Sequence, residues 1–290
     1  MKISDDMLRR KIDFYKTIPV NRQNSITRGR LLSGSQSYLL ACLPKSGSTW
    51  FLSIFRGLPG CAYASFTPSY GAREQEIESS AISLGLQEAS GFHTLSQHHV
   101  KYNENTRSCL LEYCVRPIVL TRDIMDNLVS LVDHWKIDPT PMSSAYIEKQ
   151  YFNEDMTLSI NNGISPLEYA TILHGPWILN FYLSWRKCST SVAGGLPPCL
   201  QPIFVNYSDL CRNTFEFYLH LLNQMGFEVE EDELMKAIAR AGLDNTRKNI
   251  GKPGRGRAHF SCDEGAATAL ERLLRLYRHE DLSGLGVGSR

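Results

Sequence analysis

What the chain lacks narrows it first. No apolar run approaches the roughly 18 continuous residues that a membrane span requires. No Cys-x-x-Cys pair occurs: the eight cysteines stand at 42, 61, 109, 114, 188, 199, 211 and 262, a spacing that supports no zinc site. A disulfide framework is not expected at this length either. Cys42 and Cys114 lie in apolar runs and read as small buried thiols of a reducing compartment. There is no excess of either charge. With 31 Lys and Arg against 30 Asp and Glu, the net charge of +1 argues against a nucleic-acid or membrane partner held by bulk electrostatics. Any anion must therefore be met by a local site. The first segment, Met1 to Lys16, mixes charged and apolar residues, which does not fit a secretory signal peptide. Repeats and low-complexity tracts are absent. What remains is a chain of 290 residues, 42% hydrophobic and 21% charged, enough for one large α/β domain or two small ones.

The most informative segment is Tyr38-Leu-Leu-Ala-Cys-Leu-Pro-Lys-Ser-Gly-Ser-Thr-Trp-Phe51. An apolar run reads as a buried strand, and a tight polar turn then opens a helix. The unpaired backbone N–H groups and positive dipole end of a helix start form an anion site. Lys45 adds a point charge, while Ser46, Ser48 and Thr49 add hydroxyl donors suited to phosphate or sulfate oxygens. A Walker A loop places its Lys after the last Gly, followed by a magnesium-holding Ser or Thr. Here Lys45 precedes Gly47 and Trp50 follows the hydroxyls, so the loop is of another kind.

Elsewhere the spacing predicts helices over Asp5–Tyr15, Ser48–Arg56, Glu74–Leu86, Asp123–Lys136, Ser165–Arg186, Thr214–Met225, Glu231–Gly242 and Asp263–Arg278. In the fifth, Ser165 caps and Pro166 takes the first turn. Strands are predicted at Tyr38–Leu43, Leu95–His99, Arg116–Arg122 and Ile203–Tyr207. The segment around Asn21–Ser37 reads as polar loop, 61–73 as irregular, Asn103–Asn105 as a turn and Tyr146–Gly163 as a mobile flap. Strands alternating with helices indicate a parallel sheet covered on both faces. The expected organisation is a single domain over 1–290, with residues 1–36 a helical extension and 283–290 a flexible tail.

Three further groups bear chemistry. Arg122 ends a strand and Ser130 lies eight residues on, about two turns along the next helix; they reach one anion only if the strand end folds back beside that helix. Arg122 brings a bidentate fork and Ser130 one hydroxyl. Arg247-Lys-Asn-Ile-Gly-Lys-Pro-Gly-Arg-Gly-Arg257 packs five cations and three glycines into a short loop, a flexible anion clamp or a solvated basic surface. Ser96-Gln-His-His-Val100 holds two adjacent imidazoles, which strand alternation sends to opposite faces.

Pro44-Lys-Ser-Gly-Ser-Thr-Trp50 resembles the 5′-phosphosulfate-binding loop of the sulfotransferase family, written P-K-[ST]-G-[ST]-[ST]-W. With the later motifs the resemblance spans Tyr38 to Phe260. It implies a three-layer, P-loop-like α/β domain around a central parallel sheet. The expected reaction moves a sulfuryl group from 3′-phosphoadenosine 5′-phosphosulfate (PAPS), leaving 3′-phosphoadenosine 5′-phosphate (PAP), with no metal. Cofactor contacts fall on Lys45, Ser46, Gly47, Ser48, Thr49 and Trp50 for the 5′ end, and on Arg122 and Ser130 for the 3′-phosphate. The third basic contact comes from Arg247, Arg255 or Arg257. This chain departs from the family's R-K-G-x-x-G loop, with Asn249 at the first Gly; Arg255 with the backbone of Gly256 is favoured. Tyr207 resembles the family's tyrosine near the adenine, and reads equally as a core Tyr.

In the family a strand-end His takes the acceptor proton, which places that role on His99, with His98 the alternate. Gln97 stands where the family has Lys. His93, His134 and His174 are weaker candidates. Tyr63, Phe66, Tyr70, His134, Trp135 and Trp177, with Tyr169, are candidate walls of an acceptor pocket, and each reads equally as core. The Golgi-type N-terminal anchor is not seen at the start of this sequence, so a cytoplasmic, small-molecule enzyme is expected. Its acceptor bears a hydroxyl or amine, a carbohydrate or lipid being the alternative, with no nucleic-acid or membrane partner and an open oligomeric state that admits a homodimer. Two rival classes stay open: an ATP- and magnesium-dependent phosphotransferase, and a nucleotide-binding scaffold without turnover.

Overall fold

The computed structural model describes residues 2–3, 5–17, 25–68, 76–137, 163–190, 195–243 and 253–288; side chains are not described at 2, 3, 7, 135–137, 189, 190 and 243. The expected flap at 146–163, along with Tyr70 and Arg247, falls outside those residues, apart from Gly163. The centre is a five-stranded parallel sheet in the order β3-β4-β2-β5-β6. Its strands are β2 (Ser37–Cys42), β3 (Cys61–Tyr63), β4 (His93–His98), β5 (Arg116–Thr121) and β6 (Ile203–Asn206). All six residues of β2 are buried, as expected of the middle strand of a parallel sheet with both faces covered.

Alternation along β2 feeds two cores. Tyr38, Leu40 and Cys42 join Phe51, Ile54 and Phe55 of α3 (Ser48–Gly57) and Tyr218, Leu221 and Leu222 of the helix Thr214–Met225. Leu39 and Ala41 join Leu128 of α6 (Ile124–Ile137) and Leu179, Phe181 and Trp185 of the long helix α7 (Pro166–Thr190). The result is the three-layer α/β arrangement that the alternating pattern implied. Ser165 starts α7 as expected: its Oγ accepts the Glu168 N–H at 2.9 Å. From the C-terminal half of α7, the wholly buried Trp185 donates Nε1–H to the Val100 carbonyl at 3.0 Å, fixing the chain just past β4.

Topology places the site. From β2 the chain crosses to one side, filling β3 and β4, and then to the other, filling β5 and β6. The carboxyl ends of β4, β2 and β5 therefore border a switch point, where open parallel sheets receive ligands.

Several sequence expectations give way to tertiary structure. The stretch read as loop at 21–37 contains helix α2 (Ser25–Leu32). Its polar sequence hides the reason: the Arg30 guanidinium is buried and donates to the carbonyls of Leu86, Ala89, Gln36 and Phe92. Residues 61–63 form β3 rather than irregular chain, and Asn103 caps α5 (Glu104–Glu112), its side chain accepting the Thr106 N–H at 2.8 Å, rather than closing a simple turn. The Gly-rich end is seated rather than frayed through residue 288: Leu285 is wholly buried, and Asn206 Nδ2 donates to the Gly284 carbonyl at 3.2 Å. A short antiparallel pair, β1 (Lys2–Ile3) with β7 (Phe227–Glu228), had no sequence signal. Among the described residues no helix is long and apolar enough to cross a membrane.

Candidate active site at the carboxyl edge of the sheet

The turn after β2 is shaped by two left-handed residues, Lys45 at φ 61° and Gly47 at φ 82°. Gly47 is also demanded sterically, because a Cβ there would run into the Tyr207 ring. The turn's carbonyls are tied down from outside. Asn127 Nδ2 donates to Pro44 O and Arg122 Nη1 to Lys45 O, each at 2.7 Å. Ser46 Oγ donates back to Leu43 O at 2.6 Å. With its carbonyls held on that side, the turn leads into α3, where no side chain caps the helix start. The first-turn amides and the dipole of α3 are thus set to meet an anion, with Ser48 and Thr49 in that first turn.

Tyr207 lies beneath this turn, its ring against Gly47 and the Arg122 guanidinium 4.5 Å from its centroid. Burial pushes its phenol up to about 12. Arg122 itself is 4% exposed, and burial lowers its proton affinity. Its Nε is buried with no hydrogen-bond partner among the described residues.

Beside it, α6 presents Asp126, Ser130 and Asp133 at i, i+4 and i+7, one face of the helix. Asp126 accepts two backbone N–H groups of the basic loop, Gly254 N at 2.6 Å and Gly256 N at 2.7 Å. Asp133 pairs with Arg255. The Gly256 N–H, favoured from the sequence as a ligand contact, is therefore directed at Asp126. Arg255 is close enough to repel Arg122, and its own Nε is buried without a partner among the described residues. Ser130 is 4% exposed between the two carboxylates. Arg257 is exposed.

The two histidines separate as alternation requires. His98 turns to the α7 side, stacked on Phe66 with ring centroids 6.3 Å apart; its Nε2 accepts the Phe66 N–H at 3.3 Å and lies 2.7 Å from Ser96 Oγ. His99 turns to the α3 side, its Nδ1 2.7 Å from the Cys42 carbonyl. That carbonyl can only accept, so Nδ1 carries the proton and Nε2 holds the basic lone pair. Gln97, on the same strand face as His99, donates Nε2–H to Ser48 Oγ at 2.5 Å. His93 lies at the opposite edge of the sheet, where its Nδ1 accepts the Gln36 N–H and burial lowers it to about 4. Burial likewise lowers His174, on α7, to about 4.

The candidate acceptor walls divide. Phe66 is wholly buried in the core and Tyr169 nearly so, whereas Tyr63 and His134 are half-buried and Trp177, partly exposed, stacks on Phe181. The side chain of Trp135 is not described. A groove of about 610 Å³ runs along the outer edge of β6, lined by Phe204, Asn206, Phe217 and Arg186, and contains none of the expected site residues. Sequence reading missed Asn127, Asp126 and Asp133. The one signal for Asp126 and Asp133 was the helical stripe they share with Ser130.

No protein-family model and no curated protein matches the chain. Among solved structures it is similar to mouse sulfotransferase SULT7A1 complexed with PAP, at 14% identity and TM-score 0.46 over 79% of this chain and 73% of that one. It is similar to a sulfotransferase from Alicyclobacillus acidocaldarius, at 12% identity and TM-score 0.39 over 87% and 99% of the two chains. A third likeness is to retinol dehydratase in complex with androsterone and inactive cofactor PAP, at 13% identity and TM-score 0.47 over 92% and 84%.

Proposed function

We propose that this chain is a sulfotransferase that moves a sulfuryl group from PAPS to a hydroxyl or amine of a small-molecule acceptor. The observation that carries the reading is a convergence at one sheet edge: a Lys-bearing turn on an uncapped helix start, two arginines with unmatched buried donors, and an imidazole held in its base tautomer. The residues fit a nucleotide charged at both ends. Lys45, Ser48, Thr49 and the α3 amides would hold the 5′ end, and Arg122, Ser130 and Arg255 the 3′-phosphate. Buried Nε groups that meet no acceptor among the described residues are the donors such a phosphate would satisfy.

The donor nucleotide supplies an activated sulfuryl group on a bridging oxygen. The chain's own contribution is orientation, charge and a proton acceptor. His99 Nε2 takes the acceptor proton while the Cys42 carbonyl holds the ring in place and stabilises the imidazolium that forms. Lys45, its carbonyl held by Arg122 in a left-handed backbone, would neutralise the charge that develops as the phosphate leaves. His98 is the poorer base because Phe66 N–H already donates to its Nε2. The likenesses to structures crystallised with PAP are in keeping with this donor. The resemblance also suggests a cytoplasmic enzyme.

The test is transfer of 35S from labelled PAPS to a panel of hydroxyl- and amine-bearing metabolites, with and without EDTA. Transfer indifferent to EDTA and lost by about 100-fold or more in His99→Ala, with PAP binding kept, is the expected result. Activity only with ATP and magnesium would identify a phosphotransferase. PAP binding without transfer to any acceptor would leave a nucleotide-binding protein.

A further inference from the structure

We propose that Asp126 and Asp133 form a carboxylate latch that assembles the 3′-phosphate side of the site before nucleotide arrives; this rests on the functional reading above. Neither residue is a catalytic group. Both are positioning residues acting through Arg255 and its loop.

The geometry is specific. Asp126 grips the loop by its backbone, one carboxylate oxygen to each of two N–H groups: Oδ2 to Gly254 and Oδ1 to Gly256. Arg255 lies between these two anchors, so its Cα position is fixed. Close approach is needed for the grip, since a Cβ on Gly256 would stand 2.5 Å from the Asp126 N and the Met125 carbonyl carbon. Asp133, two turns along the same helix face, then takes the Arg255 Nη2. Both partners of that pair are largely covered, with 17% and 19% of their side chains exposed, so water screens it less than a surface pair.

The latch addresses a problem peculiar to this site. Arg122 and Arg255 stand near enough to repel each other, and a loop rich in glycine would otherwise swing clear. Asp126 also attracts Arg122, so the same carboxylate steadies both cations. The pairing uses only one edge of the Arg255 fork. Its buried Nε stays without a partner among the described residues, as does that of Arg122. Arg122 and Arg255 are thus each anchored at one nitrogen, and Ser130 shares the α6 face of the two carboxylates that hold the loop. A phosphate entering there meets groups whose ordering has already been met by the fold, which raises affinity by lowering the entropy lost on binding.

Calorimetry with PAP and with adenosine 5′-monophosphate (AMP), which lacks the 3′-phosphate, tests this on the whole chain. Wild type should prefer PAP. Asp126→Ala and Asp133→Ala should each lose about 10- to 100-fold in PAP affinity while AMP affinity holds; Asp133→Ala should melt close to wild type, and Asp126→Ala lower, because two N–H groups lose their acceptor. Asp133→Glu should recover most of the preference, because it restores the charge and the acceptor. If Asp126→Ala fails to fold, the Asp133→Ala and Asp133→Glu pair carries the same comparison. Variants that keep the wild-type preference overturn the latch, and so does tighter PAP binding by Asp133→Ala, which would make Asp133 a competitor of the phosphate. A wild-type chain with no preference for PAP over AMP overturns the functional reading, a result distinct from both.

Discussion

Two loops face the same switch point, and they are held in opposite ways. The turn at Pro44–Gly47 is gripped by its carbonyls, which accept from Arg122 and Asn127. The basic loop at Gly254–Gly256 is gripped by its amides, which donate to Asp126. The Ser46 N–H returns to the Leu43 carbonyl, so with the carbonyls of the first tied down it is the amides at the start of α3 that are set to meet an anion. Tying down the amides of the second leaves only side chains for that purpose. The difference shows why the first is a backbone anion cradle and the second an arginine carrier, although both are short, Gly-containing and cationic. Helix α6 and the strand end before it serve both, with Arg122 and Asn127 reaching the turn and Asp126 and Asp133 the loop.

Breaking the two glycines should separate the loops most sharply. Gly47→Ala forces an L side chain into a left-handed backbone against the buried Tyr207 ring. It should cost about 2–4 kcal/mol of folding stability, read by denaturant melts, and abolish binding of PAP and AMP alike. Gly256→Ala drives its Cβ into the α6 backbone from a buried position, so the loop must shift off Asp126 and Arg255 loses its placement. That variant should also lose about 1–3 kcal/mol of stability, but of the two ligands only PAP should bind more weakly. Equal damage to AMP and PAP binding by both variants would erase the distinction.

Asn127→Ala is a milder probe of the carbonyl grip. It leaves the Pro44 carbonyl without its donor and should destabilise by about 1–2 kcal/mol, with weaker AMP and PAP binding in equal proportion. A selective loss of PAP would place Asn127 with the second loop instead.

The smallest effect belongs to the far edge of the sheet and serves as a control. Burial holds His93 at about 4 against an ordinary 6.5, and its Nδ1 accepts the Gln36 N–H. Its folded-state pKa is depressed, so the unfolded chain binds the extra proton between those values. Stability should therefore fall as pH drops from about 6.5 to about 4, by about 1–2 kcal/mol from this group. His93→Gln should flatten that part of the pH–stability curve and leave nucleotide selectivity untouched. An altered PAP preference would show that the two edges of the sheet are coupled.

Legibility in the sequence followed how locally each feature is encoded. β2, the turn and α3 were readable because apolar run, turn residues and helix start are contiguous, and each constrains its neighbours. The opposite orientation of His98 and His99 was also readable, since period-two alternation allows nothing else. Helix α2 was not readable, because its stability lies in Arg30 contacts with carbonyls from residues 36 to 92. Tyr207 looked alike as core or ligand contact; only the approach of β6 to Gly47 and Arg122 shows its ring packed under the turn.

The sequence by itself determined the strand–turn–helix anion cradle, the alternating α/β pattern and the candidate base, because short-range geometry and periodicity suffice for these. Tertiary structure alone decided how Arg255 is held. Gly254 and Asp126 are 128 residues apart, and no local rule tells a basic loop whether its amides will meet a carboxylate or a ligand. Only the packing of the short helix Gly256–Ser261, which follows the loop, on α6 closes that gap.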